Sequence, residues 1–193
     1  MEIIKVEKGC LTILTGKTDM GKSTITVYEC GENLRAGEKV IFFSYEYCQS
    51  IIYKKLVSHF AITWSELMNL NIVDASNLNL QTLVSYVKAK RGNVDIVYVD
   101  YLDILKKTSF KEAKDEAENL AQIREICTVL ADLARELNIP VTTDMSTSTG
   151  KLPGLSKMDG VDLVTEGILT LTKTLEYLES GETEQNAAKV LMD

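Results

Sequence analysis

Apolar residues fall along this chain in short unbroken runs, separated by longer stretches where they recur every three or four positions. The runs lie at 11–14, 39–44, 72–73, 95–100 and 141–143, with further candidates at 167–171 and 188–192. They are rich in Val, Ile and Phe, which fits strands buried on both faces. The three-to-four periodicity occupies 22–34, 49–58, 80–90 and 111–137 and predicts helices. In the last of these, Leu120, Ile123, Cys127, Leu130, Ala134 and Leu137 form one stripe, and Asn138 and Pro140 follow as terminators. Gly37 and Gly92 stand just past the ends of two predicted helices. Strands alternating with helices in this way predict an α/β fold, a mostly parallel twisted sheet with helices on both faces. The stretch 146–159 has no periodicity and is rich in Ser, Thr, Gly and Lys, so it reads as a loop at the C-terminal edge of the sheet.

The chain has 193 residues, 45% hydrophobic and 25% charged, which predicts a single domain with a sizeable core rather than a disordered chain. No apolar run approaches the roughly 18 residues of a membrane span, and no secretory signal opens the chain, so a cytoplasmic protein without a membrane partner is expected. There are 28 acidic and 21 basic residues, a net charge of −7. Phosphate neutralisation by Lys and Arg dominates non-specific nucleic-acid binding. An overall basic field is therefore excluded, and any such contact must come from a local loop or from assembly. Cys10, Cys30, Cys48 and Cys127 form no C-x-x-C pair, and His59 is the only histidine. That spacing does not suit a zinc site and reads as reduced thiols in a reducing compartment.

The segment Gly16-Lys17-Thr18-Asp19-Met20-Gly21-Lys22-Ser23 fits G-x-x-x-x-G-K-[ST], with a strand predicted before it and a helix after it. Glycines let such a loop turn its backbone N–H groups inward, and these act with the helix N-terminus to bind phosphate oxygens. Residues Gly16 to Thr24 are thus the candidate nucleotide-binding set. Lys22 is expected at the β- and γ-phosphates, and Ser23 at Mg²⁺. Asp19 would repel phosphate if it faced inward, so it is expected to point outward. Asp100 ends the strand at 95–100, where a carboxylate can hold the Mg²⁺ shell through water. Glu46 follows the strand at 39–44, where an acid can orient and deprotonate an attacking water.

Four stretches together resemble the RecA-like motor domain of DnaB-type replicative DNA helicases, including their T-even phage relatives. Thr15 to Thr24 resembles the family phosphate loop, and Ser44-Tyr45-Glu46-Tyr47 is similar to its S-L-E-M, whose Glu is the catalytic base. Asp100-Tyr101-Leu102 matches its D-Y-L, and Leu133-Ala134-Arg135-Glu136-Leu137-Asn138-Ile139-Pro140-Val141 its approach to the sensor strand. The resemblance implies a RecA-like P-loop ATPase that uses ATP and Mg²⁺, with Glu46 and Lys22 catalytic. It also implies single-stranded DNA as a partner, self-association into a ring, a possible primase or helicase loader, and a bacterial cell or phage-infected host.

Two departures accompany it. The family sensor strand ends in Ser-Gln, and Ser146 stands in the place of the Gln, shortening the reach toward a γ-phosphate. The loop at the position of the family's DNA-binding loop offers Lys151 and Lys157 to DNA phosphates. The family continues into a strand bearing an arginine finger beyond the point where this chain stops. A fragment or a reduced relative, weakly active alone, is therefore expected. Two other readings stand beside the helicase motor. One is a non-motor nucleotide-binding regulator of a ring, which the acidic charge and altered sensor favour. The other is a RadA- or KaiC-like ATPase, against which the D-Y-L and L-A-R-E-L-N-I-P-V matches weigh.

Overall fold

A computed structural model describes residues 6–19, 21–147 and 158–164. Its elements in chain order are β1 (Leu11–Gly16), α1 (Lys22–Arg35), β2 (Val40–Ser44), α2 (Gln49–Ser58), α3 (Trp64–Leu67), β3 (Leu70–Asp74), α4 (Leu80–Ala89), β4 (Ile96–Asp100), α5 (Leu102–Ser109), α6 (Glu116–Leu137), β5 (Val141–Ser146) and β6 (Val161–Val164). The described strands form one sheet in the order β3-β2-β4-β5-β1-β6, and every pairing in it is parallel.

Strand periodicity divides the core in two. In β2, Ile41 and Phe43 face one layer while Val40 and Phe42 face the other; in β4, Val97 and Val99 oppose Ile96 and Tyr98. The first layer is closed by Leu83 and Val87 of α4, Leu102 and Leu105 of α5, and the inner face of α6. The second is closed by Val27, Cys30 and Leu34 of α1, with Ile52 and Leu56 of α2. A sheet with both faces covered in this way explains why its strands read as continuous apolar runs.

Several boundaries differ from the sequence reading. The predicted helix 111–137 begins only at Glu116. Asp115 is its N-cap and accepts the Glu118 N–H at 2.8 Å, so the chain before it takes another course. α5 was not expected. It has eight residues and only two fully buried apolar positions, too few for a clear period. α3, a single turn, was missed for the same reason, although Thr63 and Glu66 form a capping box. β5 runs on to Ser146 because Thr142, Thr143 and Asp144 are buried despite being polar. That extension takes Ser146 out of the predicted 146–159 loop and makes it the last strand residue. β6 was not expected either. The predicted strands at 167–171 and 188–192 lie outside the described residues. On α6, Ile123, Cys127, Leu130 and Ala134 are buried as expected. Ile126, Ala131 and Leu133 join them, because a helix lying on a sheet buries a broader face than a narrow stripe. Asn138 ends the helix with φ 52°, in the left-handed region that Asn tolerates.

The strand order fixes where chemistry can sit. β5 lies between β1 and β4, so the C-terminal ends of β1, β5, β4 and β2 follow one another along one edge. Register pairs Gly16 with Ser146 across β1 and β5, and Ser44 with Asp100 across β2 and β4. In open parallel sheets, ligands bind outside this edge.

Candidate active site

A cleft of about 590 Å³ opens at that edge, and its walls include Gly21, Lys22, Ser23, Glu46, Asp144 and Ser146. Its floor is the turn from β1 into α1. Gly21 precedes the helix with φ 84°, a conformation a side chain would strain, and Asp19 also has positive φ. No side chain caps α1, and its first turn carries no acid. The first N–H groups of a helix lack intrahelical partners, so this terminus offers donors and the positive end of a dipole to an anion. Lys17, Thr18 and Asp19 are exposed, while Thr24 is half-buried and lines the cleft. Met20 lies outside the described residues.

Lys22 is buried, and its ammonium donates to the Lys17 carbonyl at 2.9 Å and the Gly16 carbonyl at 3.4 Å. Ser23 donates its hydroxyl toward Asp100 Oδ1 at 3.2 Å, with Asp144 Oδ2 at 3.4 Å. The Ser23 hydroxyl and Asp100 thus come together from opposite halves of the described chain. Glu46 is exposed on the cleft wall just beyond β2. The turn carrying it is fixed by Ser44, whose hydroxyl donates to the Tyr47 carbonyl at 2.6 Å and accepts the Tyr47 N–H at 3.2 Å. Ser146 is half-buried on the far wall. Its N–H donates to Asp103 Oδ2 at 3.1 Å, and the Thr147 N–H donates to the Gly16 carbonyl at 2.9 Å, tying the end of β5 to α5 and to the phosphate loop. Lys151 and Lys157 lie outside the described residues.

Asp144 escaped the sequence reading. It is 2% exposed beside the fully buried Asp100, because Val99 pairs with Thr143 and the next residue of each strand therefore sits at the same level. Burial pushes the Asp100 carboxyl up to about 6, against the opposing pull of hydrogen bonds from Ser23 and Asp144. Burial and the neighbouring Asp100 charge push Asp144 well above the usual carboxylate range. Asp100 Oδ2 and Asp144 Oδ1 are both buried without a hydrogen-bond donor. Such orphaned oxygens, beside a serine hydroxyl and a phosphate-type loop, are the donor set a hard cation such as Mg²⁺ takes. The same wall carries other residues that the sequence reading passed over. Lys55 Nζ sits 4.7 Å from the centre of the Tyr47 ring, and Tyr101, Asp103, Lys106 and Lys107 come from the turn after β4 and from α5. One signal for Lys55 was available, since it faces the cleft from α2 two turns after Glu46.

Comparison with known proteins agrees with this architecture. No curated protein matches the chain in sequence. The solved ATPase domain of a DnaB-like helicase superposes with a TM-score of 0.59 at 20% identity, covering 86% of this chain and 67% of that one. A KaiC-like protein from the hyperthermophilic archaeon Pyrococcus horikoshii superposes with a TM-score of 0.56 at 22% identity, covering 75% of this chain and 64% of that one. At such identities the likeness is one of fold, and the fold is that of RecA-like ATPase domains. The family model of the DnaB-like helicase C-terminal domain matches residues 59–158, from the end of α2 through the Asp100 strand, α6 and β5. The phosphate loop and Glu46 precede the matched range and stand on their own geometry. With more than half of its length matched, and with the strand order and the edge cleft in agreement, the chain belongs to the family of DnaB-like helicase C-terminal domains.

Proposed function

We propose that this chain is the ATP-binding motor core of a DnaB-type replicative helicase, in which ATP hydrolysis drives single-stranded DNA translocation and duplex unwinding within a ring. The observation that carries the reading is the convergence of Lys22, Ser23, Asp100 and Glu46 on one cleft at the C-terminal edge of the sheet. In this reading residues 1–193 form one RecA-like unit. The N–H groups between Gly16 and Thr24 bind the phosphates, and Lys22 leaves its loop carbonyls for the β- and γ-phosphate oxygens. Ser23 and Asp100 hold Mg²⁺, which supplies charge neutralisation on the phosphates when bound. Glu46, exposed on the opposite wall, orients the attacking water and takes its proton. Ser146 contacts the γ-phosphate side of the cleft.

For DNA, Lys151 and Lys157 are joined in this proposal by the lysines following β4. Lys107, Lys111 and Lys114 are exposed, and Lys106 is hydrogen-bonded to Asn119 at the base of α6. A local cluster of this kind is what an otherwise acidic chain needs to grip phosphates. Primase or loader binding, ring assembly and residence in the cytoplasm of a bacterial or phage-infected cell belong to the same proposal. Among the described residues, no helix is long and apolar enough to cross a membrane.

Steady-state ATPase assays with and without single-stranded DNA, together with strand-displacement assays of the assembled ring, test it. DNA-stimulated turnover supports the motor. Tight ATP binding with no DNA stimulation in the assembled ring favours a non-motor regulator instead.

A further inference from the structure

Asp144 has no part in the mechanism above, yet it occupies the centre of the site. It stands on β5, the strand inserted between the phosphate-loop strand and the Asp100 strand, so its carboxylate reaches the gap between Ser23 and Asp100. Two carboxylates buried side by side are costly unless something neutralises them. Lys22, the ammonium whose charge Asp144 feels most, is bound to the carbonyls of Gly16 and Lys17. Among the described residues no cation forms an ion pair with either carboxylate. One oxygen of each acid already meets the Ser23 hydroxyl, and the other has no donor. Four carboxylate oxygens and one hydroxyl oxygen therefore gather at one buried point beside the cleft.

We propose that Asp144 is a direct ligand of the divalent cation at this site, and that Ser23, Asp100 and Asp144 together capture a Mg²⁺- or Mn²⁺-type ion before nucleotide arrives. The inference rests on reading the cleft as a nucleotide and metal site. Mg²⁺ is usually held by one or two carboxylates together with substrate phosphates and waters. A single carboxylate acting through water leaves the ion dependent on the nucleotide, whereas two buried carboxylates and a hydroxyl give the protein a hold of its own. Among the described residues no set of three or more acidic, His or Cys side chains encloses a metal. The ion therefore keeps waters on its open side, and these are the positions that phosphate oxygens take over.

The experiment titrates Mn²⁺ into the nucleotide-free full chain and reads the free ion by its electron paramagnetic resonance signal. The parent is expected to take up one ion. D144N, checked for folding by circular dichroism, is expected to bind at least about tenfold more weakly. Asp144→Leu serves as a second variant that removes the oxygens altogether. Wild-type protein that takes up no Mn²⁺ without nucleotide overturns the proposal whatever the variants do. So does a folded variant with the parent's affinity, which would make Asp144 a proton-sharing neighbour of Asp100 and no more. A parallel ATP titration separates the two readings. Absence of ATP binding defeats the nucleotide reading, whereas ATP binding with Mn²⁺ uptake indifferent to Asp144 defeats only this one.

Discussion

The Lys22 ammonium turns back onto its own loop and donates to the Lys17 carbonyl, 2.9 Å away. A second carbonyl, that of Gly16, lies 3.4 Å from it. The loop thus stores its one buried cation against neutral acceptors, which charged phosphate oxygens can outcompete. Lys22→Ala should leave the fold intact and lower ATP affinity by about tenfold to a hundredfold, the scale of a charge-assisted hydrogen bond. Isothermal titration of the folded variant measures this, and unchanged affinity would remove Lys22 from the site.

Glu46 makes a different kind of contribution. It lies on the wall facing the phosphate loop and is exposed, so its removal disturbs neither core. Glu46→Gln should bind ATP like the parent while single-turnover hydrolysis falls by about 10²–10⁴, the usual worth of a positioned base. Equal rates in variant and parent would make Glu46 a surface acid.

The legible and illegible parts of this fold divide along a physical line. Runs such as Val40 to Phe43 and Ile96 to Val99 announced themselves because strands buried on both faces are apolar throughout. The phosphate loop was legible because its chemistry needs glycines, a lysine and a hydroxyl at fixed spacing. Asp144 was not, because it sits in a strand whose neighbours Thr142 and Thr143 are also polar, and only the pairing with β4 brings it beside Asp100. Lys55, Tyr101 and Asp103 were hidden for the same reason. Each is unremarkable within its own segment and acquires a role only when the strand order brings separate segments to one edge. α5 was invisible because two buried leucines do not make a period.

The core that holds this edge in place can be tested directly. Leu130 lies at the middle of α6, fully buried against the sheet with Leu133 and Ala134 beside it. Leu130→Ala removes packing that neighbours on a rigid sheet cannot replace, and should lower unfolding free energy by about 2–5 kcal/mol. Urea unfolding monitored by circular dichroism reads the change. A loss below about 1 kcal/mol would mean that α6 is not anchored at this point.

The lysines after β4 can be separated from the nucleotide site by salt. Each phosphate contact to single-stranded DNA contributes about 0.7 to the slope of log affinity against log salt. Lys107→Ala combined with Lys111→Ala should weaken DNA binding and reduce that slope by about 1.4 if both touch phosphate. Fluorescence anisotropy across a salt series, without nucleotide, makes the measurement. An unchanged slope would assign both lysines to solvent.

The buried acid pair should leave its mark on stability as pH changes. Burial raises Asp100 from 3.8 to about 6 in the folded protein, and burial together with the Asp100 charge raises Asp144 as well. The folded chain therefore keeps protons that the unfolded chain releases, so folding is favoured most at low pH. The stabilisation tied to those protons is fully present below the unfolded value near 4 and is lost as pH rises through about 6. Glu46 and Asp103 add negative charge around the pair, whereas Lys55 and Lys22 partly offset it. Removing one carboxylate relieves the repulsion only where both would ionise. In chelator-treated, nucleotide-free protein, Asp144→Asn should melt above the parent at about pH 8, and the gap should narrow toward about pH 5. Thermal unfolding at the two pH values reads it directly. A gap of the same size at both would mean that the two carboxyls do not sense each other's charge.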